Sequence, residues 1–182
     1  MTPRHPSHFK RYCMERSLAD PPPADPPPGF RFVPWQEHLL DLHADVLFAS
    51  FADDLDGQVF PNLAARDGCR HLMRAVRELH GFCPSACWLL AGPGGYAGAI
   101  QGVVTGGWGL VQNLGVCPEA RGRGVGAALL ARCLRGFARA GADGCRLEVT
   151  ADNGPAVRLY KRFGFRATRV RYKPAVRVGA GV

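Results

Sequence analysis

Between Ala120 and Leu130 the chain reads ARGRGVGAALL, with Arg121 and Arg123 alternating with Gly122, Gly124 and Gly126 before an apolar run at helical spacing. Residues without a Cβ let several amides converge on one anion, and the first turn of a helix leaves its amides unpaired at the positive end of the dipole. Flanking guanidiniums add charge-assisted bonds, so the stretch is suited to phosphate. A Walker A loop is excluded, because Ala127 and Ala128 stand after Gly126 where the Lys and the hydroxyl would have to be. A dinucleotide fingerprint matches in letters at Gly122, Gly124 and Ala127, with Glu148 21 residues beyond. It fails in context: CPEAR separates the preceding strand from the glycines where a tight turn is needed, and the remaining chain is too short for a doubly wound half.

A second stretch, LEVTADNGPAVRLYKRFGF from Leu147 to Phe165, contains a carboxylate, an amide and a phenol. Tyr160, with an ordinary pKa near 10, stays protonated at neutral pH and can donate a proton; its alternative role is core packing beside Leu159 and Phe163. Glu148 alternates with Leu147 and Val149 and so faces the other side of its strand, where it can accept a proton or pair with Arg146, Arg166 or another neighbour. Asn153 stands where it can bond a ligand or a backbone turn.

The elements that must position these groups are legible. At 182 residues, 47% hydrophobic and 21% charged, the chain has the size and composition of one globular domain. Residues 1–28, ending in PPPADPPP, read as a flexible Pro-rich tail, and residues 29–182 as the domain. FRFVPW alternates as an edge strand. A helix is predicted over Gln36–Ala52 and another, capped by Asp67, over Leu72 to Leu79. From Leu79 to Pro118 there is no Asp, Glu, Lys or Arg, but GPGG and TGGWG break the run into ACWLLA, AGAIQGVV and GLVQNLGV, three buried strands rather than a membrane span. The glycine loop, its helix, the strand CRLEVTA, a short helix and the strand FRATRVRY complete a β-α-α-β-β-β-α-β-α-β order. That order predicts an α/β mixed sheet with helices on both faces.

Charge is uneven within a net +8: from Arg121 onward there are 14 Lys and Arg against 3 Asp and Glu. A basic half suits a phosphorylated cofactor or nucleic acid. Few aromatics interleave with these arginines and RGRGVG lacks the RNP pattern, which speaks against nucleic acid. With no apolar segment of signal-peptide type near the N-terminus, the seven cysteines read as buried reduced thiols of a cytoplasmic protein. No metal site is expected: Cys83 and Cys87 have no His or second Cys pair at zinc spacing.

Arg121-x-x-Gly124-x-Gly126 after VCPEA resembles the coenzyme A loop of the GCN5-related N-acetyltransferase (GNAT) superfamily, and Leu147–Phe165 resembles its second signature. The resemblance runs from about Leu110 to Tyr172 and implies the GNAT acyl-CoA N-acyltransferase fold, with acetyl-CoA as cosubstrate and no metal. It implies that the strands LVQNLGV and CRLEVTA splay. The amide of Val116 then meets the acyl carbonyl, the amides from Arg121 through Gly122, Arg123, Gly124 and Val125 to Gly126 hold the pyrophosphate, and Asn153 meets the pantetheine arm. It further implies Tyr160 as general acid and, by similarity to the ribosomal-protein N-terminal acetyltransferase branch, Glu148 as base. LVQNLGV lacks the carboxylate that other members place there. The acceptor stays open among a small amine, a lysine and a peptide N-terminus; Asp53, Asp54 and Asp56 either attract a cationic amine or serve as caps. A non-catalytic acyl-CoA-binding module is the alternative, ahead of a nucleic-acid-binding domain, and a homodimer is left open.

Overall fold

The computed structural model describes residues 8–175. In chain order its elements are β1 (His8–Ser17), β2 (Arg31–Pro34), α1 (Leu40–Phe51), α2 (Leu55–Val59), α3 (Arg66–Glu78), β3 (Trp88–Gly92), β4 (Gly95–Thr105), β5 (Trp108–Val116), α4 (Val125–Arg139), β6 (Gly144–Thr150), α5 (Gly154–Arg162) and β7 (Arg166–Pro174). The strands form one seven-stranded sheet in the order β2-β3-β4-β5-β6-β1-β7. Only β5 and β6 run parallel.

The charge-free run becomes β3, β4 and β5; β3 and β4 are buried on both faces, whereas β5 is mostly half-buried. Alternation sends Leu89 and Ala99 to a core under α1 and α3, while Leu90 and Ile100 join the opposite core under α4 and α5. Phe137 of α4 fills the space over β4 and β5 that Gly102 and Gly109 leave open, since a Cβ on either would run into its ring. Burying such a side chain contributes roughly 2–3 kcal/mol. Six of the seven cysteines are buried and all seven are free. No helix among the described residues is long and apolar enough to cross a membrane.

Two expectations are corrected. Residues 8–17, assigned by sequence to the tail, are β1, an interior strand paired with β6 on one side and β7 on the other. Its pattern hides it because it places charges inside the sheet: Tyr12 and Met14 face the α4–α5 core, whereas Arg11 and Glu15 meet partners on β6. The prolines from Pro21 to Pro28 do lie outside helix and strand, but as a connection within the domain that packs Pro27 beside Gly124. Residues 1–7 of the expected tail lie outside the described residues. Asp67 does not cap α3, whose N-cap is Ala65; it sits in the first turn and pairs with Arg70 at 3.6 Å.

Candidate active site

The site begins where the sheet opens. β5 and β6 pair only from Trp108 to Leu110 against Gly144 to Arg146. Two residues later β5 bulges: Gly102 faces Val111 and Gln101 faces Asn113, leaving Gln112 extra. An extra residue bends and twists its strand, so β5 leaves β6 and a fork opens between them. Cys117 donates its amide to Ala97 on β4 at 2.9 Å. Amides alternate in direction along a strand, so those of Val116 and Leu114 point away from β4, into the fork. Val116 is the donor expected from sequence, and Leu114 is a second that the letters alone did not single out.

At the tip of the fork the chain makes a short helical turn over Pro118–Ala120 and then the glycine loop. Gly122 and Gly124 have φ of 72° and 82°, a region that favours glycine. Gly124 is the N-cap of α4, so the amides of Val125, Gly126 and Ala127 lack partners within the helix and carry its dipole. A Cβ on Gly126 would lie 3.4 Å from Val116 and 3.5 Å from Leu159, so the first turn of α4 adjoins both the fork and α5. The arginines face elsewhere than their spacing suggests. The Arg121 amide donates to Pro118 O at 3.2 Å, and its guanidinium ties the loop to Ser50 O at 2.9 Å and Asp54 at 3.0 Å. Arg123 lies over the Phe30 ring at 4.7 Å.

Tyr160 enters from α5, is 7% exposed, and meets the Phe165 ring edge-on at 5.9 Å. Burial pushes its phenol well above the ordinary range, and nearby Asp56 adds to the shift. Its hydroxyl makes no hydrogen bond among the described residues and is not one of the sealed polar atoms. Asn153 caps α5 by accepting from Ala156 N at 3.2 Å, and its amide donates to Asp56 at 3.1 Å. Thr150 also donates to Asp56, at 2.9 Å. Both polar ends of Asn153 are therefore engaged within the protein, and the bond to Ala156 N is the turn-bonding role. Asp54 caps α2 and holds Arg121, so it too is occupied.

Glu148 stands on the opposite face of β6 from the α5 core, and two guanidiniums flank it: Arg171 at 3.0 Å and Arg11 at 3.5 Å. Cys13 donates its thiol to the same carboxylate at 3.5 Å. Beside Glu148 lies a cavity of about 540 Å³ that reaches Leu110, Val111 and Gln112 at the mouth of the fork. The parts thus suit a long ligand with phosphates at α4, an extended arm along β5 and a reactive end near the mouth. No sequence signal pointed to Arg11, since it lies in the segment read as tail.

Comparison with known proteins fits this geometry. Residues 84–167 match the model of the GNAT acetyltransferase domain. Over 74 residues the chain is 47% identical to a mycothiol acetyltransferase from Clavibacter michiganensis, which covers 40% of this chain and 24% of that protein. The curated relative is therefore about four times longer than the stretch it shares with this chain. Among solved structures, a GCN5-related N-acetyltransferase from Sphaerobacter thermophilus superposes with a TM-score of 0.72 at 22% identity, over 94% of this chain and 54% of that one. A ribosomal-protein alanine N-acetyltransferase from Escherichia coli gives 0.60 at 16% identity, over 84% of this chain and 98% of that one. At such identities these structures establish the likeness of fold, and the seven-stranded mixed sheet with helices on both faces is the fold of the GNAT domain.

Proposed function

We propose that the chain is an acetyl-CoA-dependent N-acetyltransferase acting on a primary amine. The observation that carries this reading is the fork, where the strand amides turned away from β4 adjoin the open N-terminus of α4, with Tyr160 on the neighbouring helix α5. Bound acetyl-CoA would supply the thioester. The amides of α4's first turn and of the glycine loop hold its phosphates, with Arg121 bracing the loop through Asp54 and Arg123 through Phe30. The gap-facing amides of Val116 and Leu114 orient the extended arm and polarise the carbonyl. Tyr160 keeps its proton at any working pH and gives it to the departing sulfur.

Glu148 takes a different part from the base implied by resemblance. Its oxygens are engaged by Arg11 and Arg171, so we assign it to fixing those side chains at the acceptor side. The amine's proton then leaves through solvent in the cavity.

The testing experiment is thermal melting with acetyl-CoA, CoA, NADH, ATP and a short DNA duplex added separately. A ligand at 100 times its Kd stabilises by about 2.7 kcal/mol, which raises Tm by several degrees in a domain of this size. A shift with acetyl-CoA and CoA, lost in Gly124→Val, supports the reading. A shift with NADH or duplex alone replaces it, and a shift with acetyl-CoA but no acyl transfer to any amine leaves the non-catalytic binding module. The relatives' name makes a mycothiol-related amine one acceptor to include.

A further inference from the structure

The β6–β1–β7 part of the sheet is laddered with charge on its cavity face. Across the three strands Glu148 stands opposite Cys13 and Cys13 opposite Arg169, while Thr150 stands opposite Arg11 and Arg11 opposite Arg171. One rung further, Arg146 faces Glu15. Four guanidiniums and two carboxylates thus line one cavity, an excess of two positive charges. Both carboxylates are already occupied, Glu15 by Arg146 at 2.9 Å and Glu148 by Arg171 and Arg11. Arg11 is 8% exposed, and its Nε, though ion-paired with Glu148, makes no hydrogen bond. Arg169 makes no ion pair with any described residue.

We propose that the acceptor is an amine whose molecule also carries an anionic group, carboxylate or phosphate, held at Arg169 and Arg171. This rests on the acetyltransferase reading and names its substrate class. A partly enclosed cavity with excess positive charge repels a simple cationic amine and gains from an anion, which the fork-shaped guanidinium binds with two bonds. The acidic residues that suggested a cationic acceptor do not oppose this: Asp53 is exposed and does not line the cavity, Asp54 is bound to Arg121, and Asp56 to Thr150 and Asn153. The same field serves the chemistry. Like charge disfavours an ammonium, so an amine docked here loses its proton more readily, and β5 needs no carboxylate to take it.

The test uses the purified full chain with acetyl-CoA and matched amines of one length, ending in carboxylate, phosphate, neutral amide or a second amine. Release of the CoA thiol gives kcat and KM, and calorimetry with CoA present gives acceptor affinity even where turnover is slow. The expected result is at least about tenfold higher kcat/KM, or tighter binding, for the anionic members. Arg169→Ala should raise KM for those members several-fold more than for the neutral amide, so that the preference for anionic members shrinks, and Arg169→Glu should favour the diamine. Equal use or binding of neutral and anionic amines, or an Arg169→Ala variant with unaltered preference, overturns the proposal. The acetyl-CoA melting shift separates the two levels: absent, the acetyltransferase reading itself fails; present without charge preference, only this inference does.

Discussion

Arg11 of β1 donates from Nη1 to the Thr150 hydroxyl of β6 at 3.1 Å, joining positions 139 residues apart. Thr150 in turn donates its hydroxyl hydrogen bond to Asp56, and Asp56 also accepts from the Asn153 cap of α5. The helix bearing Tyr160 is thus tied by three successive hydrogen bonds to a strand that sequence placed in a tail.

Arg11→Ala should therefore cost stability, about 1–3 kcal/mol for a buried, hydrogen-bonded charged group. Urea unfolding with an unchanged m-value and a lower midpoint is the expected outcome. A midpoint equal to the wild type would show that β1 is held by backbone pairing alone.

Tyr160→Phe should lower turnover about 10²-fold while leaving CoA affinity almost unaltered. Because the hydroxyl has no hydrogen-bond partner among the described residues, the same change should leave Tm nearly constant. A large loss of Tm with modest loss of turnover would reassign the phenol to the core.

Glu148→Gln separates bracing from base catalysis. Removing a base would lower kcat and erase the acidic limb of its pH profile. Releasing Arg11 and Arg171 should instead raise the acceptor KM several-fold and keep the limb, and that is the result expected from two flanking guanidiniums.

His43 is wholly buried on α1 beside Gln101, with Nδ1 and Nε2 of the two side chains 2.9 Å apart. Burial lowers its pKa from 6.5 to about 3. The unfolded chain binds a proton between those values that the folded chain refuses. The associated stability is complete above pH 6.5 and falls as pH drops toward 3, by about 1.4 kcal/mol per unit. Denaturant unfolding near neutral pH and about two units lower should show a smaller decline in His43→Gln than in wild type. Parallel declines would place the proton elsewhere.

Where burial and geometry agree with residue type, the fold was legible. The run from Leu79 to Pro118 had to be buried strands because its glycine breaks are too close for anything longer, and Gly122 and Gly124 had to open a helix because the apolar spacing starts at Val125. The ten residues of β1 were not legible, because Arg11 and Glu15 find their partners on β6, beyond the reach of any local pattern. Side-chain direction was hidden for a related reason. Arg121 sits in a phosphate-binding motif by spacing, yet its guanidinium turns to Ser50 and Asp54, residues of a helix and loop far away in sequence.

The placement of β1 also bears on how the molecule is made. β1 is synthesised long before β6 and β7, and at usual elongation rates on the order of ten seconds passes before either partner exists. Through that interval Phe9, Tyr12 and Met14 stand in a segment of strand-forming character with nothing to pair against. Lys10, Arg11, Glu15 and Arg16 interrupt it, and charges so placed keep a waiting strand from pairing with other chains. The residues that disguise β1 as a tail are then the ones that protect it on the ribosome, and its docking closes the longest loop of the domain as a late step of folding.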